Sequence, residues 1–277
     1  MDAIRSNVLQ VPGASLHYEV RGRGPLLLLI HGGGGSARSF DGIANQLAAQ
    51  YTVVAYDRRG LSNSILDDPE EDQFIETHSD DAHHLLKVLL ANNEKASVFG
   101  SSAGAVIGLD LVARCPEQIS TLIAHEPATH QLGDADPFQE LASIRETYYR
   151  EGMPAVFKVL ATQNIFHLDE REPDAELPEQ TLEGREQNLK NLKFEFEHEF
   201  PMFDRYQFDF PALKKATDRT KIMLAGGCGR EDSTYRSAAA IANELAATFV
   251  EFPGRHLGYV THPKAFVRRL HALLSEE

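Results

Sequence analysis

Residues Gly100-Ser101-Ser102-Ala103-Gly104 hold a serine between glycines, after a short strand-like run at 96–99 and before a helix-like run at 105–114. A serine on such a sharp strand-to-helix turn sits in strained backbone, with its oxygen pushed clear of the sheet. Small flanking residues are needed because the turn brings strand and helix close together. The free N–H groups at the start of the helix then face any negative charge that builds up beside the serine. That is an arrangement for nucleophilic catalysis. Glycine and serine also cluster in ordinary loops, so the pentapeptide carries the argument only with partners.

Three other features fall where such a serine needs them. His31-Gly32-Gly33-Gly34-Gly35 follows a buried strand, and its glycines let backbone N–H groups approach a ligand. The N–H of Ala103, with that of Gly33 or Gly32, could hold the oxyanion of a tetrahedral intermediate. No Gly-Lys-Ser/Thr follows, which makes the run a poor phosphate loop, and it does not fit the dinucleotide pattern. His256, in Phe252-Pro253-Gly254-Arg255-His256, comes just after the last strand and could reach Ser102 as general base. The chain has 12 histidines, so position singles out His256. His125, His262 and His31 read more simply as structural. The base needs a carboxylate to fix its tautomer. Glu126, after the strand at 120–124, is one candidate; Glu231 and Asp232, after the strand at 221–224, are the others. All three keep the order serine, acid, histidine. Substrate contacts are expected at His31, Ser101, Phe138, Phe203 and Leu257.

The elements that must position these residues alternate. Strands are expected at 7–11, 16–20, 26–30, 51–56, 96–99, 120–124, 221–224 and 248–252. Helices are expected at 37–50, 77–91, 105–114, 233–247 and 263–274. Alternation of this kind implies a mostly parallel sheet with helices on both faces. The pattern breaks after Pro127. Residues 128–213 are helical, acidic and rich in aromatics, and read as a lid inserted over the sheet. The core is then 1–127 and 214–277. Most of the lid aromatics should pack on one another, with a minority lining an apolar cleft. Asp57-Arg58-Arg59-Gly60 reads as a structural turn: Asp57 caps local N–H groups and the arginines brace the loop near the site.

Composition excludes some functions. The 277 residues suit one large domain or a core with an insertion, and 42% hydrophobic content supports a sizeable core. A net charge of −14 argues against nucleic acid and anionic membrane surfaces as partners. The two cysteines do not form a disulfide framework, and the first 12 residues lack the features of a signal peptide, so a cytoplasmic setting is expected.

With these motifs in place, the chain resembles the α/β-hydrolase family everywhere outside the inserted segment. The matching motifs are His31-Gly32-Gly33, Asp57-Arg58-Arg59-Gly60, Gly100–Gly104 and Pro253-Gly254-Arg255-His256. The resemblance implies an α/β-hydrolase fold with an eight-stranded sheet, a serine nucleophile and a histidine base. In that family the acid usually stands about two residues beyond a glycine after the next-to-last strand. Here that position is Cys228, which cannot serve. His125-Glu126-Pro127-Ala128-Thr129 is similar to the His-Glu motif of a subgroup, in the style of the zearalenone lactonases, whose acid is a glutamate after the preceding strand. The resemblance therefore implies a triad of Ser102, His256 and Glu126, acting on an ester or lactone. It implies no metal or organic cofactor. The expected partner is a small-molecule ester or lactone, with a homodimer left open. Haloalkane dehalogenases and epoxide hydrolases are disfavoured, because those relatives carry aspartate where this chain has Ser102.

Overall fold

The computed structural model describes residues 4–91, 94–129, 131–132, 137–163, 170–173, 175 and 181–275. Its strands are β1 (Arg5–Val11), β2 (Ala14–Arg21), β3 (Leu26–Ile30), β4 (Thr52–Tyr56), β5 (Ile65–Leu66), β6 (Ala96–Ser101), β7 (Ile119–His125), β8 (Lys221–Gly226) and β9 (Thr248–Glu251). They join in one sheet of order β1-β2-β4-β3-β6-β7-β8-β9, with β5 pairing off that path to β2. The path holds the eight strands expected; β5 is only two residues long, too short to leave a pattern in the sequence. β1 and β2 form an antiparallel hairpin, β2 also runs antiparallel to β4, and every pairing from β4 to β9 is parallel.

The helices are α1 (Asp41–Leu47), α2 (Ile75–Leu89), α3 (Ala103–Arg114), α4 (Pro137–Glu151), α5 (Met153–Gln163), α6 (Leu182–Phe194), α7 (Phe200–Arg205), α8 (Phe210–Ala216), α9 (Ser233–Leu245), α10 (Gly258–Thr261) and α11 (Pro263–Ser275). They cover the sheet on both faces, and β3 shows why its sequence is apolar throughout. Side chains alternate along a strand. Leu28 and Ile30 enter the core shared with α2 and α3, while Leu27 and Leu29 enter the core shared with α1 and α11. With no solvent side, neither alternate position can be polar.

The inserted segment leaves the sheet after β7 and returns before β8. Its Phe196, Phe200, Met202, Phe203, Tyr206 and Phe208 are buried in continuity with the core over α2 and α3. Phe196 stacks between Tyr148 (5.2 Å) and Phe200 (5.5 Å), as expected of aromatics that pack on one another. The Tyr206 hydroxyl donates to Asp110 Oδ1 (3.0 Å), tying the insertion to a carboxylate inside the largely apolar α3. A boundary at 213/214 would cut α8. That helix packs on α3 and α9. Among the described residues no helix is long and apolar enough to cross a membrane.

Candidate active site

In a parallel sheet, side chains that follow the carboxyl ends of neighbouring strands are brought together, above all where the strand order reverses direction. Here β3 is flanked by β4 and β6, which places the reversal beside it. Register does the rest. Ile30 pairs with Gly100, Ser101 with His125, His125 with Ala225, and Gly226 with Glu251. The ends of five strands are therefore level. The residues that come next are His31-Gly32-Gly33, Ser102, Glu126, Gly227 and, after a short loop, His256.

Ser102 has φ 58° and ψ −119°, a region that a non-glycine residue enters only under constraint. The constraints are visible. Its N–H donates to the carbonyl of His125 (2.9 Å), and α3 begins at the next residue. A Cβ on Gly100 would overlap the Gly104 carbonyl, and one on Gly104 would overlap the Ile30 carbonyl. The glycine spacing of the pentapeptide is thus set by backbone against backbone, with no room for a methyl group. Among the described residues Ser102 Oγ has no hydrogen-bond partner. Catalytic hydrogen bonds in free sites are commonly long and tighten when substrate binds. The N–H groups of Gly33 and Ala103 are likewise unpartnered among the described residues, and the Gly32 backbone lies close to the serine: a Cβ there would stand 3.6 Å from Ser102 Oγ.

Glu126, at φ 48°, is fully buried. Its Oε1 accepts from the Gly227 N–H (2.7 Å); its Oε2 accepts from the Thr234 hydroxyl (3.0 Å) and faces His256 Nδ1 at 2.6 Å. Burial alone would push this carboxyl up. The bond from His256, the charges of His125 and His256 and the Gly227 N–H together bring it down to about 2. As a carboxylate it can only accept, so Nδ1 of His256 carries the proton and Nε2 is left as the basic nitrogen. Asp232 does not take this place. Both its oxygens accept from Arg255 (3.0 and 3.2 Å), and Glu231 joins the same guanidinium at 2.9 Å. Cys228 is exposed.

Behind the site, His125 is fully buried and stacks on His256 with ring centres 6.3 Å apart. Burial depresses its pKa to about 4, so it is neutral. Both His125 and Glu126 bind fewer protons folded than unfolded, so both lose stability in acid. The His125 contribution is complete above 6.5 and lost as pH falls through about 4; that of Glu126 is complete above 4.5 and lost toward about 2. We expect thermal stability to fall steadily below pH 6.5, and the upper part of that fall to be shallower in His125→Phe, the buried His31 and His78 keeping the rest, as measured by melting temperature against pH. A wild-type melting temperature flat from pH 7 to 4 would contradict this.

Two residues expected to touch substrate are turned inward instead. His31 is fully buried; its Nδ1 donates to Gly32 O (2.8 Å) and its Nε2 accepts from the Arg58 N–H (3.2 Å), so both nitrogens serve the loop. Ser101 is also fully buried, with Oγ 3.3 Å from His125 Nδ1. Pleating explains the latter: the side chain before Ser102 points to the opposite face. Phe203 is buried in the insertion, and Leu257 is half-buried beside His256. The side chain of Phe138 lies outside the described residues.

The Asp57 turn braces the loop as expected. Asp57 accepts from the N–H groups of Ala37 (2.8 Å) and Asn63 (3.1 Å), and Arg59 makes a two-pronged bond to Asp81 (2.7 Å each). Arg58 donates to Gly32 O (3.1 Å) and forms a fully buried bidentate pair with Glu199. Glu199 went unnoticed in the sequence. Its signal is the run of three acids in Glu195–Glu199, a π-helical turn between α6 and α7, which sets Glu195 against Gly33, Glu197 on Tyr148 and Glu199 on Arg58. Removing the cation from this pair leaves a bare buried carboxylate. Arg58→Met should therefore cost about 3–5 kcal/mol, read by denaturant unfolding; a loss below about 1 kcal/mol would show that Glu199 is reached by water.

Comparisons with known proteins give the family and the fold. The chain is 43% identical over 277 residues to the uncharacterized hydrolase YraK of Bacillus subtilis, covering 99% of this chain and 97% of that one. It is 27% identical over 277 residues to a zearalenone hydrolase of Cladophialophora bantiana, covering 96% and 95%. The fold matches the crystal structure of the enol-lactonase from Burkholderia xenovorans LB400 with a TM-score of 0.77 at 20% identity, over 98% of this chain and all of that one. Residues 27–269 match the profile of the Alpha/beta hydrolase family, and the chain belongs to that family of hydrolytic enzymes.

Proposed function

We propose that this hydrolase cleaves a carboxylic ester or lactone of medium size and apolar character through an acyl-enzyme on Ser102. The observation that carries the reading is the joint placement of a strained serine and a histidine whose Nδ1–H is held by a buried carboxylate. His256 Nε2 takes the proton from Ser102 Oγ as the oxygen attacks the carbonyl carbon. The N–H groups of Gly33 (or Gly32) and Ala103 receive the oxyanion. Glu126 keeps the proton on Nδ1 and stabilises the imidazolium. The alcohol leaves with the proton from Nε2, and water releases the acid by the same path in reverse. The aromatic insertion acts as a lid and supplies the apolar walls of the cleft. Two relatives of named activity, a zearalenone hydrolase and an enol-lactonase, act on lactones by their names and favour that substrate class here. Free Cys115 and Cys228 fit a reducing, cytoplasmic setting.

The test is hydrolysis of a panel of short and medium p-nitrophenyl esters, aryl lactones and zearalenone, with mass spectrometry of quenched mixtures. Turnover of at least one member, with the acyl mass on the peptide carrying Ser102, is the expected result. A panel without turnover would overturn the ester and lactone reading.

A further inference from the structure

The lid touches the oxyanion loop through one residue with no structural bond to explain it. The end of α6 and the π-turn after it lie along the glycine loop. Asn191 Nδ2 donates to Gly35 O (2.9 Å), the Leu192 side chain lies against Gly34, and the Phe194 ring lies against Gly60. Next in this row is Glu195. Its carboxyl lies against Gly33 with Oε1 nearest, where an added Cβ would overlap it. Asn191, Leu192 and Phe194 fill space or satisfy a carbonyl. Glu195 does neither: among the described residues its carboxyl has no hydrogen-bond partner, although it is only partly open to solvent. It does not accept from the Gly33 N–H, which has no partner among the described residues. Its natural counter-ion is engaged elsewhere. Arg58 gives both Nη atoms to Glu199, one also reaching Gly32 O, and beside that pair stand the buried His78, whose Nε2 is 3.5 Å from Glu199, His31 and Tyr56.

We infer that Glu195 is a substrate-recognition residue, whose carboxyl O–H donates a hydrogen bond to an oxygen on the acyl side of the substrate, beside the scissile carbonyl. The inference rests on the ester and lactone reading above and names the substrate feature that site selects: a neutral oxygen acceptor such as an ether, ketone or hydroxyl near the carbonyl. A carboxyl can donate only while it holds its proton. Burial and the Glu199 charge raise its pKa to about 8, against the opposing charge of Arg58, while His78 and His31, both deeply buried, stay neutral. An acid kept neutral in a shielded site is a strong, preorganised donor. The position also explains why it comes from the lid: a donor seated on the Gly33 backbone can address only an oxygen close to the one that the loop itself binds.

The experiment compares two p-nitrophenyl esters of equal length, butanoate and methoxyacetate, which differ by an ether oxygen in place of a methylene. The readout is the ratio of their kcat/KM values, which cancels general damage to the site. Glu195→Leu should lower the preference for methoxyacetate by about tenfold, the worth of one buried hydrogen bond. Glu195→Gln, whose amide still donates, should keep it within about threefold. In the wild type the preference should decline above pH 8 toward the Leu value, while in the Gln variant it should stay level. A ratio unchanged in Glu195→Leu, with both esters slowed alike, would overturn the inference and make Glu195 a packing residue. Should the Leu variant fail to fold, the wild-type and Gln pH profiles decide alone: a wild-type ratio flat from pH 6 to 10 sinks it. Ser102-dependent turnover of both esters keeps the serine reading whatever the ratio does, whereas no turnover of either removes both.

Discussion

Ser102→Ala should lower kcat/KM for the best ester of the panel by about 10³-fold or more, because on the proposed reading it removes the oxygen that carries the acyl group. Stability provides an independent reading of the same residue. Ser102 is held at φ 58° by Gly100, Gly104 and the His125 carbonyl. Such a conformation costs a non-glycine residue about 1–3 kcal/mol. Alanine keeps that cost, so Ser102→Ala should melt within a degree or two of the wild type. Glycine removes it but gives back about 0.5–1 kcal/mol of chain entropy. Ser102→Gly should therefore be inactive and yet more stable by about 1 kcal/mol, a rise of roughly 2–4 °C for a chain of this size. Activity surviving in either variant would mean that another nucleophile does the chemistry. A glycine variant that melts lower would mean that the serine is not strained.

Glu126→Gln should be nearly as damaging, with turnover down by about 10²–10⁴-fold and the fold retained. The carboxylate accepts three hydrogen bonds, from Gly227, Thr234 and His256. An amide can supply only one oxygen, and Gly227 N–H cannot turn away. If the oxygen stays with Gly227, the amide N–H₂ faces His256, and Nδ1 must become the acceptor. The proton then moves to Nε2, where the base is needed, and the imidazole presents the wrong tautomer to Ser102. Asp232→Asn should change turnover by less than about threefold, since Asp232 is committed to Arg255. The reverse ranking of these two variants would move the acid to the later loop.

Glu126 shows how far sequence reasoning reached. The residues alone left three carboxylates in contention, and a resemblance chose among them. The choice rests on lateral geometry. β7 lies between β6 and β8, so a residue just past its end is next to the serine on one side and next to Gly227 on the other. Arg255, immediately before His256, takes up Asp232 and Glu231. Sequence separation carries neither fact. The inward turn of His31 and Ser101 has the same origin. His31 and Ser101 sit beside the motifs in sequence, but strand pleating and the pull of Arg58 and His125 turn them into the core.

By itself the sequence determined the strand–helix alternation, the buried character of β3, the insertion after β7, and the turn that strains Ser102. These follow from interactions between residues a few positions apart: side-chain periodicity, and glycines where backbone meets backbone. Only the tertiary structure decided which acid reaches His256, that Arg58 is paired with Glu199 across 141 positions of chain, and that Glu195 has no partner among the described residues where it lies on Gly33. The physical reason is competition. A buried charge takes whichever partner the strand order and helix packing bring within bonding distance, and that contest is settled only when the whole chain is in place.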